Sequence, residues 1–365
     1  MSGIVADNVD RASGVVTASA AGPTISSSDP TITTNATLGT QWANSTSGEF
    51  YVLTDSTADA NVWTNVGDGE GDIEPWKFQG IIAGYSAGGY NDPSVAAYSN
   101  IIDKYSFSTD ANATDVGNLT VTRGYASGQF SSTHGYTSGG QGNQNHIDKF
   151  SFSLDGNATD VGDLSVARGN TTGQSTETHG YVSAGYSPSR DTIEKFSFAS
   201  DGNASDIANL TQGRQDVAGN SSATHGYVSG GNASGSYVNT IDKFTFDSDA
   251  DATDVGDLSG TRSSQAGQSS TTYGYSSGGY TPGPGYLNII DKFPFASDAN
   301  ATDIADITVA RGNPAGHSST THGYTAGGSG TSMNHVDKFP FASDANATDV
   351  GDLTSTRGTA ASSQI

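Results

Sequence analysis

The sequence predicts an all-β chain whose larger part is a six-bladed β-propeller closed by its C-terminal strand, preceded by a small β-hairpin module and an extended arm. Three observations carry this expectation: a sixfold internal repeat, four strand-like segments in each copy, and two chain ends that each hold half of an incomplete copy.

Six segments of the form [Asp/Glu]-Lys-[Phe/Tyr]-X-Phe place lysines at Lys104, Lys149, Lys195, Lys243, Lys292 and Lys338, spaced 45, 46, 48, 49 and 46 residues apart. Eleven residues after each Lys stands an Asp (Asp115, Asp160, Asp206, Asp254, Asp303, Asp349), and nineteen after it an Arg (Arg123, Arg168, Arg214, Arg262, Arg311, Arg357). Eleven residues beyond the first five arginines come His134, His179, His225, Tyr273 and His322, each opening a Gly-Tyr stretch that ends in a glycine pair or Ala184-Gly185. Length varies only between that pair and the next Asp-Lys.

Each copy reads as four strands. The first follows the Arg and the second is the Gly-Tyr stretch. The third is Ile-Asp-Lys-Phe-Ser-Phe, where Ile147, Lys149 and Ser151 alternate with Asp148, Phe150 and Phe152 at period two. A turn rich in Asp, Gly and Asn leads to a short fourth strand around residues 161–167. Such a unit, repeated, fits a propeller blade. Residues 78–89 supply a glycine-pair strand with no full copy before it, and residues 357–365 a post-Arg strand with no glycine pair after it. Joining the two gives six complete copies and leaves no exposed sheet edge at the seam.

Composition narrows the function classes. The chain has 15 Lys+Arg against 38 Asp+Glu, a formal net charge of −23. A polyanion needs a basic footprint and none exists, so neither nucleic acid nor an anionic membrane surface is an expected partner. There is no cysteine, hence no disulfide, thiolate metal site or thiol nucleophile. No secretory signal is expected from the first residues, and no apolar run is long enough to span a membrane.

Twelve of the fifteen cations are the repeated Lys and Arg; Arg11, Lys77 and Arg190 lie outside the pattern. A ring of arginines suits an anionic ligand, but repeat architectures use equivalent positions to join neighbours, so pairing with the repeated carboxylates is expected. The Asp-X-[Asn/Asp]-Ala-[Thr/Ser]-Asp turns offer oxygen ligands, yet lack the closing acidic residue of a calcium loop and are read as self-capped turns. Their Asn-Ala-Thr triplets are read the same way. The repeated histidines are read as turn residues, since Tyr273 replaces one of them and a metal ligand would not tolerate that. His146, His317 and His335 are isolated. No catalytic residue, metal or cofactor is expected.

The order Arg, Tyr-X-X-Gly-Gly, aromatic strand, next Arg resembles the kelch repeat over about residues 78–365. The glycine doublets, aromatic strand and closing Arg match. The usual Trp of the fourth strand is replaced by Val116, Val161, Ile207, Val255, Ile304 and Val350, making this a divergent kelch-like pattern. The resemblance implies a propeller, not a particular activity. The sugar oxidase among kelch-like folds needs a cysteine cross-linked to tyrosine, which this chain lacks.

Loops that vary on a rigid repeat frame carry binding function. The variable connections hold Tyr90, Tyr98, Asn143, Tyr186, Arg190, Tyr237, Tyr280 and Tyr286, the candidate ligand-binding face. Tyrosine with Asn and Asp suits neutral sugars, because rings stack on apolar sugar faces and amides bond hydroxyls. The alternative is that these tyrosines pack their own loops.

Residues 1–39 are Ser-, Thr- and Ala-rich and are expected as an extended attachment arm. Residues 40–66 hold two aromatic runs around a Ser-Gly turn, a hairpin signal; 67–77 read as a linker. Gly39, Trp42, Asn44, Tyr51, Asp55, Thr57 and Trp63 resemble a small module of tail-fibre and other virion proteins of tailed bacteriophages. Related hairpins bind carbohydrate, which would give Trp42 or Trp63 a sugar contact. The resemblance implies a virion appendage, a tail fibre or decoration protein. Residues 1–77 would contact other virion proteins, the propeller would bind host-surface polysaccharide multivalently, and the chain would form a homo-oligomer such as a trimer. The alternatives are a purely structural docking ring and, less favoured, a kelch-type sugar-processing enzyme.

Overall fold

The computed structural model describes residues 22–66, 73, 77–91, 97–142, 144–186, 190–330 and 334–365. Among them there is no helix, so none is long and apolar enough to cross a membrane. The chain is all-β, built from many small sheets of a β-propeller-like class, and divides into two units, Met1–Trp76 and Lys77–Ile365.

In the first unit β1 (Thr24–Ser26), β2 (Gln41–Asn44), β3 (Phe50–Asp55) and β4 (Val62–Asn65) form one sheet in chain order. The β2–β3 hairpin turns at the expected Ser-Gly stretch. Residues expected to end the arm instead join this sheet: β1 pairs parallel with β2, Trp42 Nε1 donates to the Ser28 carbonyl, and Asn61 Nδ2 to that of Ile32. The reason is the core. Tyr51, Leu53 and Trp63 are buried with Ala36, Trp42 and Ile73 around them, and three short strands alone would leave part of that cluster wet. The rest of the arm and nearly all of the linker lie outside the described residues.

Among the described residues the second unit contains six four-stranded sheets. Sheet one joins Ala83–Ala87, Ile101–Ser106 and Thr114–Asn118 to the C-terminal Ala361–Gln364, which pairs with Ala83–Ala87. Sheet two is Ser127–Phe130, His134–Ser138, His146–Ser151 and Thr159–Asp163. Sheets three to six repeat this pattern, beginning at Thr172, Ala218, Ala266 and Ala315. The fourth strand lies earlier than expected: in sheet two it spans Thr159–Asp163 and ends before Leu164. The chain leaves there because Ser165 donates its backbone N–H and its hydroxyl to Glu194 of the following sheet.

The cores lie between sheets rather than within them. The Tyr of each second strand packs on two aromatic rings of the next sheet: Tyr85 on Phe150 and Phe152, Tyr136 on Phe196 and Phe198, and finally Tyr324 on Tyr105 and Phe107. Burial of such rings is the main apolar gain available to this glycine-rich chain. It pushes the Tyr136, Tyr181, Tyr227, Tyr275 and Tyr324 hydroxyls up to about 12.

The repeated charges join neighbours, as their spacing suggested. Arg123, Arg214, Arg262, Arg311 and Arg357 pair with Asp148, Asp242, Asp291, Asp337 and Asp103 at 2.8–3.1 Å, and Arg168 with Glu194, every side chain essentially fully buried. Each carboxylate also accepts the backbone N–H of a Ser or Thr from the preceding connection, as Asp242 does from Thr211 at 3.0 Å. The lysines pair more openly, each with the turn Asp of the next sheet at 2.5–3.0 Å, from Lys104–Asp155 round to Lys338–Asp110. The turn Asn residues are occupied too: Asn157 Oδ1 accepts the Asn118 N–H and Asn112 Oδ1 that of Asp352.

The first strands meet one another through glycines. A Cβ on Gly128, Gly173, Gly267 or Gly316 would fall on a backbone carbonyl oxygen of the adjacent first strand. The next residue on each strand reaches the second strand of a neighbouring sheet: Gln129, Gln174, Asn220 and Gln268 donate to the carbonyls of Tyr181, Tyr227, Tyr275 and Tyr324. His317 occupies this position in sheet six, with Nε2 2.8 Å from the Tyr85 carbonyl. Its burial pulls its pKa down to about 4. Below pH ~6.5 the unfolded chain takes up a proton that the folded one refuses until about pH 4. Stability is therefore expected to fall by about 3 kcal/mol across that window. His317→Gln, the residue found at three equivalent places, should remove that component from a urea-unfolding series against pH. An unchanged pH slope would refute it.

Candidate functional site

Two residues after each repeated Arg the backbone turns sharply into the first strand. Tyr125, Asn170, Asp216, Ser264, Asn313 and Thr359 all adopt the left-handed conformation there, with φ between 55° and 61°. Asn and Asp tolerate it, whereas Tyr and especially β-branched Thr do so at a cost of about 1–3 kcal/mol, so the surroundings must impose it. What imposes it is a cycle of backbone hydrogen bonds. Asn170 donates to Tyr125, Asp216 to Asn170, Ser264 to Asp216, Asn313 to Ser264, Thr359 to Asn313 and Tyr125 to Thr359, at 2.6–3.1 Å.

These six residues rim a cavity of about 80 Å³ whose deeper wall includes Ala126, Thr171, Val217, Gln265, Pro314 and Ala360. It shares that wall with a second space of about 90 Å³ lined by the glycines of the first strands, which adjoins a third of about 50 Å³. At the third space stand Phe78 and Phe130, where five sheets offer Ser or Gln in place of Phe130. Gln364 Nε2 donates to the Phe78 carbonyl and Gln79 Nε2 to that of Ser269, fixing the incoming segment across this end. The run of polar cavities is thus bordered by Phe78 and Phe130 at one end and rimmed by the left-handed residues at the other.

The variable connections gather at the rimmed end. Residues after the arginines pair antiparallel with residues after the glycine pairs: Gly169 with Tyr186, Ser263 with Tyr280, Arg357–Gly358 with Tyr90–Asn91. Tyr90 and Tyr98 stack edge to face at 5.4 Å, and the Tyr98 hydroxyl donates to Gln141 Oε1 at 2.8 Å. Gln141 in turn donates to Asn170 of the rim. Tyr280 lies between Tyr237 and Tyr286, with centroids at 6.0 and 5.6 Å. Tyr186 and Tyr286 stay 54% and 42% exposed. Arg190 lies in the third strand of sheet three, half-buried, its N–H bonded to Gly185. Asn143 lies outside the described residues. Five of the tyrosines therefore brace one another, Tyr286 through one edge contact with Tyr280, while Tyr186 and Tyr286 keep part of their ring surface exposed.

Electrostatically the rim is acidic at one point. Asp216 accepts from Asn170 Nδ2 at 2.5 Å and Gln215 Nε2 at 3.1 Å, and desolvation holds its pKa above the usual carboxylate range. The Tyr125 hydroxyl is raised first by burial and then by the Asp216 charge. Sequence reasoning missed this rim, although a signal was present: the second residue after each Arg is Tyr, Asn, Asp, Ser, Asn or Thr in a repeat otherwise strict.

Elsewhere the candidates resolve into structure. His134, His179, His225 and His322 are each hydrogen bonded through Nδ1 to the hydroxyl of the preceding Thr at 2.8–2.9 Å. Among the described residues, His335, Asp337 and Asp349 place possible ligand atoms within 4.8 Å of one another, but Asp337 is already held by Arg311 and Thr308. Trp63 is fully enclosed and cannot stack on a sugar; Trp42, edge to face with it at 5.9 Å, is half-buried.

No protein-family model matches the chain, and no curated protein matches it.

Proposed function

We propose that residues 78–365 form a six-bladed, kelch-like propeller closed by the C-terminal strand, and that its variable-loop face binds glycan. The ring reading is supported by pairings that return from sheet six to sheet one, at Lys338–Asp110 and at Arg357–Asp103, and by the C-terminal strand that completes sheet one at Ala361–Ala87. The glycan reading rests on one observation: partly exposed Tyr186 and Tyr286 stand beside a rim of hydroxyl, amide and carboxylate groups, Tyr186 lining one space with Asn170 and Tyr286 packing at Gly312. Tyrosine faces take the apolar side of a pyranose, and the rim groups exchange hydrogen bonds with its hydroxyls. The cavities beneath are too narrow for a sugar ring, so the ligand lies across the face.

In this reading the protein is a bacteriophage virion appendage, a tail-fibre or decoration protein, and residues 1–77 hold it to other virion proteins as an oligomer. Weak single contacts become firm adhesion when repeated on one particle. No chemical step is assigned to the site.

The full chain should bind host-surface polysaccharide on a glycan array, and Tyr186→Ala/Tyr286→Ala should weaken binding about tenfold or more with an unchanged melting temperature. Undiminished binding by the double variant would remove the loop face as the site. No binding by the unmodified chain to any host polysaccharide would favour a docking ring instead. Labelled antibody on purified particles tests the virion location.

A further inference from the structure

The sheet of the first unit has two faces, and its core uses one of them. Trp42, Tyr51, Leu53 and Trp63 share the core face, as the pairings Trp42–Tyr51 and Leu53–Trp63 require. The alternate residues stand on the other face. Register places Ile25, Ala43 and Phe50 in one row, which Val66 continues by donating its N–H to the Phe50 carbonyl. Gln41, Val52 and Thr64 form the next row. Ile25 and Val66, at the two margins, are 73% and 62% exposed, and Phe50 and Val52 between them are half-buried.

Two observations say what covers this face. The first is charge. Copies of a chain with a net charge of −23 repel one another, so a contact between them must avoid setting carboxylate against carboxylate. Neither row holds a charged side chain. The carboxylates among the described residues of this unit are engaged by their own chain. Asp29 and Glu49 accept from Asn44 and Asn65 on the core side, Asp55 accepts from Thr57, and Asp59 from Asn35. The second observation is the size of the core. Tyr51, Leu53 and Trp63 are the only buried apolar residues described in this unit, too few for a domain of this length to stand well alone. Small scaffolds without disulfide or metal are completed by association, and a sheet is completed by a second sheet on its apolar face.

We propose that the face carrying Ile25, Phe50, Val52 and Val66 docks on the same face of a second copy of this chain. The result is a two-layer sheet sandwich about a twofold axis, a self-complementary contact that an uncharged face permits. Four strands about 4.8 Å apart make a narrow patch, so a single contact is weak. The proposal gives the oligomer of the preceding reading its contact surface, and it holds whether or not the loop face binds glycan.

Sedimentation velocity of the full chain should show a reversible monomer–dimer equilibrium, with a dissociation constant on the order of 10⁻⁵ M. Ile25→Asp/Val66→Asp and Ile25→Lys/Val66→Lys should each weaken it at least about tenfold, because like charges then meet. An equimolar mixture of the two variants should dimerise again, which loss of folding would not allow. Leu154→Asp, at a 75% exposed position of the second unit, should associate as the unmodified chain does. A monomer at every concentration up to about 200 µM, some twenty times the expected constant, would overturn the proposal and leave the loop-face reading standing. Undiminished dimerisation in either double variant, or its loss in Leu154→Asp, would keep an oligomer but remove it from this face. No dimer in the mixture of folded variants would do the same. Should the charged variants lose the tryptophan emission of the folded chain, Ile25→Ala/Val66→Ala carries the test: it should weaken association about fivefold or more, and a change within about twofold would overturn the surface.

Discussion

Replacing Asp242 by alanine should destabilise the second unit by about 3–5 kcal/mol, measured as a shift of its urea-unfolding midpoint. The substitution leaves the Arg214 guanidinium fully enclosed with its charge partner gone. It also orphans the Thr211 backbone N–H and hydroxyl, both of which donate to the same carboxylate. Burial already draws the Arg214 pKa down, and the Asp242 charge is the leading influence that opposes it. The neighbouring Lys243→Ala is the comparison. Its ion pair with Asp298 is open to solvent, and such pairs are worth about 0–1 kcal/mol. Equal effects from the two variants would refute the assignment of the buried pair as the connector between sheets.

The second large effect is expected where the first strands meet. Gly173→Ala should cost about 3 kcal/mol, at the upper end for overpacking, because the new methyl would fall on the Gly128 carbonyl oxygen, part of a hydrogen-bonded backbone that cannot rotate aside. Thermal melting measures the loss, and small-angle scattering should show the second unit expanded as first strands are forced apart. Gly156→Ala is the control. A methyl there meets nothing, and the residue is not left-handed, so no more than about 0.5 kcal/mol should change. If Gly173→Ala melts as Gly156→Ala does, the first strands do not meet as closely as described.

Much of this was legible in the linear chain because a repeat writes each contact several times over. Lys149, Asp160 and Arg168 recur at fixed intervals, and a position held constant in every copy must serve what every copy has in common, its junction with a neighbour. The third strand was equally legible, since Ile147 to Phe152 carries both β-branched and aromatic residues at period two. The fourth strand was displaced because its end is set by Ser165 reaching Glu194 in another sheet, a partner that local pattern does not reveal. In the first unit, Thr24–Ser26 has no strand signature of its own and becomes a strand only because Trp42–Asn44 offers it an edge. Ala184 is left-handed where the other copies carry glycine, with φ 66°, so the backbone requirement outlived the residue that best satisfies it.

The sequence by itself determined the all-β class, the sixfold periodicity, the pairing of repeated cations with repeated carboxylates, and which connections vary. These follow from residue type and spacing, which local physics converts into strands, turns and equivalent contacts. Only the tertiary structure decided what gathers where the first strands meet: the rim of left-handed residues, Phe78 and Phe130 at the far space, and Asp216, which no arginine reaches among the described residues. The physical reason is that the rim is held by backbone hydrogen bonds between residues about 45 to 50 positions apart, and in one case, Tyr125 to Thr359, between the two ends of the unit. Any side chain able to accept the turn can occupy it, so the sequence marks the position only by its variation from copy to copy.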